Sequence, residues 1–407
     1  MSFLYFTVAT VSCLIGWLSR GRFFNPLTVF SSIWMSVVGL SYLQLSAWQS
    51  PIEDATYFVL FVMQIAFSIF YLIGNGIKLK EYKANIERLT ITPKQLYFLF
   101  RIWLIVEILE VVYSGGLPVI WHLFNTGKTY FDFGIPSVHG LMNSIGLVIL
   151  LIAVFLILDG QDTNHKLLKI ILFILAFYFA LITRQVIVSA LIEILIVIFL
   201  YKPKLVIHKI LPILLISIIM FGIVGNLRTG YEAFMYVSLI KKEIPQWMVG
   251  FYWVYMYLSM TITNINNLIT GGFPPVGMNA LSGFIPSVFA PMLGIDTGFY
   301  SADYLVTGAF NVSGFFVYFY QGFSTAGVVF ISAIYGFLSG ILFRKYCEYP
   351  SERNMLLLAI IMQIIMLSFF DNMLLYLPSS FQLIVVLFLY RRDTHNVIKR
   401  VSNSLTR

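Results

Sequence analysis

Residues 137–201 read SVHGLMNSIGLVILLIAVFLILDGQDTNHKLLKIILFILAFYFALITRQVIVSALIEILIVIFLY. The leading part, 137–158, contains no Asp, Glu, Lys or Arg. A helix needs about 20 mostly apolar residues to cross a bilayer core of about 30 Å. Two further apolar runs, 167–183 and 185–201, follow a loop that carries Lys166 and Lys169, and they flank Arg184. Between Lys169 and Lys202 the chain has to cross, turn and return. At about 1.5 Å per residue each leg reaches only about 24 Å, short of the full core. The hairpin LITRQVI therefore turns below the outer surface and takes Arg184 and Gln185 with it.

The same pattern extends in both directions. Apolar runs also occur near 2–18, 26–47, 56–77, 95–113, 209–226, 315–342, 354–374 and 378–390. The expectation is an all-α polytopic membrane protein with about 11 spans, in a range of about 10–12. Composition agrees, with 59% hydrophobic and only 11% charged residues, where soluble domains carry about a quarter charged. An aromatic share of 17% excludes disorder. The alternating segments of an outer-membrane barrel are absent. Lipid-embedded helices share one bundle, so residues 1–407 count as a single multi-pass domain. Residues 2–18 lack a basic leader and an A-x-A site, which favours a retained helix over a cleaved signal peptide. Cys13 and Cys347 cannot build a disulfide framework or a C-x-x-C metal site.

A net charge of +8 invites nucleic acid as a partner, but its distribution argues for membrane topology instead. With the amino terminus outside, all but six of the 26 Lys and Arg residues fall in loops on one side, as the positive-inside rule requires. Lys128, Arg184, Arg228, Lys241 and Lys242 fall outside, and Arg101 lies within a helix. Two external stretches are too long for turns, 114–136 and 227–314. The second contains WMVGFYWVYMYLSMTI (247–262), after which Asn264, Asn266 and Asn267 end the apolar run. No Lys or Arg occurs between Lys242 and Arg344, so a cytoplasmic loop there would break the charge pattern. Short helices in the outer interface, or dipping into it and returning, are expected in these loops.

Phosphate-loop, dinucleotide and zincin motifs are missing, as is a D-x-D pair for a metal–nucleotide-sugar complex. Chemistry fed by a soluble nucleotide is unsupported. An arginine buried at membrane depth usually faces a polar cavity or a partner, which singles out Arg184; snorkelling or carbonyl capping is the alternative. Arg228, in GNLRTGY, emerges about 28 Å of helix beyond Lys209, at the same outer level. Together the two arginines could hold a pyrophosphate through paired charge-assisted hydrogen bonds, or Arg228 could anchor a membrane end. His122, Lys128, Asp132 and His139 border the first external stretch, and Glu232, Asp296 and Asp303 belong to the second. A histidine or carboxylate beside a sugar hydroxyl could act as general base, although each alone fits a solvated loop residue better. Glu107 and Glu110 lie three apart on one helix face, and Glu193 is another intramembrane carboxylate. Such groups mark proton or ion paths in transporters or sit protonated between helices, and Glu110 could equally lie near the outer surface. Asp371 fits a cap for the turn DNMLLYLPSS.

Four segments, SGGLPVIW (114–121), TRQVIVSALI (183–192), GNLRTG (225–230) and FNVSGFFVYFYQGFSTAGVV (310–329), resemble the bacterial O-antigen, or oligosaccharide repeat-unit, polymerases. With the hydropathy profile the resemblance covers most of the chain. It implies a GT-C-like glycosyltransferase of the inner membrane with large periplasmic loops, and no metal or other cofactor. Such an enzyme moves a growing glycan from one undecaprenyl-pyrophosphate onto the next lipid-linked repeat unit, alongside a chain-length regulator and a flippase. It further implies that Arg184 and Arg228, which match the family's periplasmic arginines, engage the donor. Beside them, outer-face position alone makes Lys128, His122 and Gln185 candidates for substrate binding and Asp303, His139 and Glu232 candidates for the base the acceptor hydroxyl needs. Gln321 stands where the family often has an acid before FG or GF, so any role of that acid does not carry over. An O-antigen ligase would share donor and architecture. A lipid-linked oligosaccharide flippase or transporter would instead show internal symmetry and short loops on both sides.

Overall fold

The computed structural model describes residues 1–78 apart from 21 and 23, then 91–202, 230–284, 290–296 and 302–390, together with 212 and 219. Among these it is built of helices, with no strand beyond an isolated bridge between Ser46 and Ile240. In chain order the helices are α1 (Ser2–Arg20), α2 (Pro26–Ser41), α3 (Asp54–Gly76), α4 (Pro93–Ser114), α5 (Pro118–Leu123), α6 (Val138–Leu158) and α7 (Lys166–Ala180). They continue with α8 (Arg184–Tyr201), α9 (Tyr231–Ser238), α10 (Val249–Thr270), α11 (Val317–Glu348), α12 (Glu352–Met366) and α13 (Leu377–Leu389). Short 3-10 turns occupy Tyr130–Asp132, Thr163–His165, Gln246–Met248, Gly277–Phe284 and Ala290–Leu293.

Among the described residues four helices are long and apolar enough to cross a membrane, those at Ser2–Ser19, Asp54–Gly76, Val138–Leu158 and Val317–Glu348. The chain is thus a helical membrane protein by length and composition. The span expected at 209–226 lies outside the described residues. Several expected spans are shorter than their apolar runs: α2 stops at Ser41 and α12 at Met366. In α12 every residue from Met355 to Ile365 is buried by other helices. Surrounded by protein, it is not obliged to match the bilayer thickness.

α6 is the axis. Every residue from Leu147 to Leu156 is buried, the all-round apolarity of a central helix. α4, α7, α8 and α13 pack around it. α3 and α11 form the most extensive pair, with backbones in close approach: a Cβ at Gly336 would lie 2.3 Å from the Phe67 carbonyl oxygen, and one at Gly340 2.3 Å from that of Tyr71. Small residues permit this intimacy, which replaces the hydrophobic drive missing between helices in lipid. Phe98, Ile102, Ile105, Leu109 and Val112 of α4 and Phe3, Leu4, Val11 and Leu18 of α1 are exposed, the apolar outer surface that lipid tails cover.

Basic residues gather at one end of the bundle and tie its elements together. Lys202 donates to the Leu158 carbonyl at 3.1 Å and Arg344 to that of Asn75 at 2.7 Å. Arg344 also pairs with Glu348, Arg22 lies over the Tyr346 ring, and Tyr201 donates to Asp159 at 2.9 Å. Cations at helix carbonyl ends are favoured by the helix dipole.

α10 departs from the interfacial expectation in one respect. Asn264, Asn266 and Asn267 do not end it; the helix runs on to Thr270, and its amides join neighbouring segments. Asn264 donates to the Phe310 and Val312 carbonyls at 3.0 and 2.8 Å, and Asn267 to that of Tyr304 at 2.8 Å. Asn266 accepts from the Glu53 amide and the Thr56 hydroxyl at 2.9 and 2.8 Å. Backbone polar groups of a loop must be satisfied in a buried setting, and side-chain amides supply both donor and acceptor. α10 therefore serves as an inner brace for the loop at 302–316, packed on α2 and α3.

Candidate functional site

The end opposite the basic loops holds the longer connections. α4 closes on Gly115 in the left-handed conformation, and α5 and the Tyr130–Asp132 turn then carry the chain back to α6. This segment is pinned rather than loose. Lys128 donates to the Ser114 carbonyl at 3.0 Å and lies 5.0 Å from the Trp121 ring centre. The Gly134 amide donates to the Ser114 hydroxyl at 2.9 Å. Asp132 accepts from the Thr129 amide at 2.7 Å, and these hydrogen bonds hold its carboxyl below the usual range.

The pinning delivers His139, in the first turn of α6, to the carboxylates of α4. Its Nδ1 lies 2.8 Å from Glu110 Oε2, while the Ile135 amide donates to Glu110 Oε1 at 3.2 Å. Nε2 lies 3.0 Å from the Asn143 amide nitrogen, one turn further on. With Nδ1–H donating to Glu110, Nε2 accepts from Asn143; the tautomer follows from these partners. Tyr178, in the last part of α7, donates to the Asn143 carbonyl at 3.0 Å. The chain then turns through Leu181–Thr183 into Arg184, the first residue of α8. Glu110 is fully buried, whereas the His139 side chain is 24% exposed, so a buried acid orients a base that can be reached from outside. Glu107, 1% exposed, lies in the same cluster and has no hydrogen-bond partner on either oxygen.

Neighbouring connections converge here. Ser144 donates to the Leu377 carbonyl at 2.9 Å, and Tyr376 lies within electrostatic reach of Asp371 and Tyr130. Gln185 lies 3.4 Å from the Met373 sulfur. Asp371 accepts from the amide of the adjacent Asn372 at 2.7 Å.

The expected site residues fare differently. His139, Lys128 and Gln185 sit on this convergence. His122 is exposed on α5, Glu232 is exposed in the first turn of α9, and Asp303 is exposed beyond the 3-10 turns; none of these is joined to His139. The backbone of Arg184 opens α8, but its side chain lies outside the described residues, as does Arg228. Glu193, remote from the outer surface, is buried and accepts from Gln382 at 3.0 Å. Gln321 is buried just before a kink at Phe323 and Ser324 in α11.

Asn143, Tyr178 and Ser114 were not anticipated. A signal existed in the i, i+4 spacing of His139 and Asn143, matching Glu107 and Glu110 at i, i+3. It becomes readable only once α4 and α6 are known to be neighbours. An apolar groove of about 560 Å³ between α3 and α11, lined by Phe70, Ile73, Ala326 and Phe330, is remote from these polar groups. No known protein family, curated protein or solved structure matches the chain.

Proposed function

We propose that this protein is an O-antigen polymerase, a glycosyltransferase that joins undecaprenyl-pyrophosphate-linked repeat units during lipopolysaccharide O-antigen biosynthesis. In this reading the chain makes about 11 spans in a GT-C-like bundle. It resides in the bacterial inner membrane with its basic end in the cytoplasm and its opposite end in the periplasm. The observation that carries the reading is the partly exposed His139, held at 2.8 Å by buried Glu110 on the end where three of the four resemblance segments have described residues close at hand. Chemistry fed by a soluble nucleotide would need motifs that the sequence lacks, whereas a lipid-borne glycan needs only a base, a cationic clamp and membrane access.

His139 would take the proton from the acceptor sugar hydroxyl as that oxygen attacks the anomeric carbon of the donor. The hydroxyl would replace the Asn143 side-chain amide nitrogen on Nε2; the side-chain Oδ1 of Asn143 has no hydrogen-bond partner to hold this amide in place. Glu110 would stabilise the imidazolium, as a buried carboxylate does beside a catalytic histidine. The anomeric C–O bond breaks and undecaprenyl-pyrophosphate leaves, its charge held by Arg184 and Arg228. Lys128, fixed beside Trp121, would sit at the mouth of the same site.

The test is reconstitution of the purified protein with synthetic undecaprenyl-pyrophosphate repeat units, read by gel and mass spectrometry. A ladder spaced by one repeat unit is expected. Intact substrate and folded protein with no ladder would refute the assignment, and transfer to an added lipid A core would favour a ligase.

A further inference from the structure

We propose that Glu107, Glu110 and His139 form a binding site for a first-row divalent cation, with Zn²⁺ the best match to the donors. One ligand atom from each residue lies within 4.8 Å of the other two. Donors in a shell of about 2.1 Å radius stand roughly 3–4 Å apart, so small side-chain rotations would close the set around an ion. An imidazole with two carboxylates suits zinc or manganese, whereas calcium and magnesium prefer oxygen alone.

Two further observations point to a ligand. Glu107 is 1% exposed and neither of its oxygens has a hydrogen-bond partner, although it is aimed into the cluster. Among the described residues neither carboxylate is paired with a lysine or arginine. Two carboxylates this close and this buried repel each other when ionised, and a doubly charged cation would neutralise the pair beside Glu107, whose oxygens lack protein partners. The second observation is Asn143, 3% exposed, whose Oδ1 is buried without a partner. A cation on Nδ1 leaves the imidazole proton on Nε2. Turning the Asn143 amide end for end then presents Oδ1 to that proton, the outer-shell acceptor that metal-bound histidines use. The proton now shared between Nδ1 and Glu110 is given up and one is taken up on Nε2, so the imidazole stays neutral and this exchange releases no net proton. The 24% exposure of His139 provides the entry path.

The inference stands on the donor set and does not require the glycosyl-transfer reading. Where both hold, zinc occupies the nitrogen that Glu110 orients, and micromolar zinc inhibits chain growth reversibly. The test uses the full chain in detergent, stripped with chelator and titrated with Zn²⁺ against a chromophoric competitor, with X-ray absorption on the loaded protein. One zinc per chain is expected, in a nitrogen–oxygen shell with a single imidazole. Glu107→Gln and His139→Asn should each weaken uptake by about 10–100-fold or more, and His165→Ala, an exposed histidine at the basic end, should leave it unchanged. Glu107→Asp, which keeps the charge, covers the case in which Gln prevents folding, and should weaken uptake less than Gln. Absence of stoichiometric uptake by folded wild-type protein overturns the proposal, as does a shell with sulfur or several imidazoles. Equal uptake by the folded Glu107 and His139 variants overturns it too. None of these results depends on a polymer ladder, so failure of the site and failure of the functional reading are separable.

Discussion

Replacing Gly134 with alanine should disable the site by moving His139 while leaving the bundle intact. Gly134 has φ +95°, a conformation that costs an L-residue about 1–2 kcal/mol. A Cβ there would also meet His139 Cβ and Cγ at 2.6 Å, well inside van der Waals contact. Overpacking of this kind costs about 1–3 kcal/mol when neighbours are held. The two terms place the native loop geometry roughly 2–5 kcal/mol above a relaxed alternative, and at 1.4 kcal/mol per decade the competent fraction falls at least about tenfold. Relaxation breaks the 2.9 Å bond from the Gly134 amide to Ser114 and withdraws His139 from Glu110. Gly160→Ala is the control: its φ is +79°, but its Cβ would meet nothing within 4 Å, so it carries strain without the clash. Polymer ladders from equal amounts of reconstituted protein, with thermal unfolding in detergent, give the comparison. Wild-type chain length from Gly134→Ala would refute the reasoning, as would equal damage from Gly160→Ala.

Other perturbations reach the same end of the molecule. Arg184→Ala should leave protein in the membrane but abolish long polymer, and Lys should rescue only in part because it lacks the planar fork; normal chain length in Arg184→Ala would remove the clamp. Glu110→Gln removes the charge that orients His139 and should lower kcat by about 10²–10⁴ with a smaller change in KM, as expected for lost acid–base catalysis; an unchanged pH–rate profile would contradict the pairing. Tyr178→Phe deletes a buried hydrogen bond to the Asn143 carbonyl and should destabilise by about 0.5–1.5 kcal/mol, seen as a lower unfolding temperature. Asp132 has its folded pKa depressed by Thr129, so its contribution is present above the unfolded carboxylate range and is lost as pH falls through the folded value. Protease accessibility of the 124–136 segment should accordingly stay flat between about pH 5 and 8 and rise only in stronger acid, unlike that of Asp132→Asn.

Much of this was legible in the sequence because lipid imposes simple rules on it. The 137–158 run needed no partner to read as a helix, since an uncharged stretch of that length has few alternatives in a bilayer. The end-to-end asymmetry came from Lys and Arg positions alone, and the bundle shows why it is stable: Lys202 and Arg344 cap carbonyls at one end. Short helices were likewise expected in the external stretches, and Pro118–Leu123 is one within 114–136.

What the sequence could not decide was which polar residues meet. Glu110 and His139 are separated by an external segment whose path depends on Gly134, Ser114 and Lys128 acting together, and no period in the sequence encodes that path. The amides of Asn264, Asn266 and Asn267 read as the end of an apolar run. Packing on α2 and α3 instead buries Asn264 and Asn266, and the amides bond neighbouring segments, Asn264 and Asn267 the 302–316 loop and Asn266 the start of α3. Apolar run length is a local property enforced by the solvent, so composition and spacing determined that these segments are helices. Polar pairing in a membrane protein is enforced by the cost of an unsatisfied buried group. That cost is assessed only after helices from distant parts of the chain have come together, and so only the tertiary structure decided that Glu107, Glu110, His139, Asn143 and Tyr178 form one cluster.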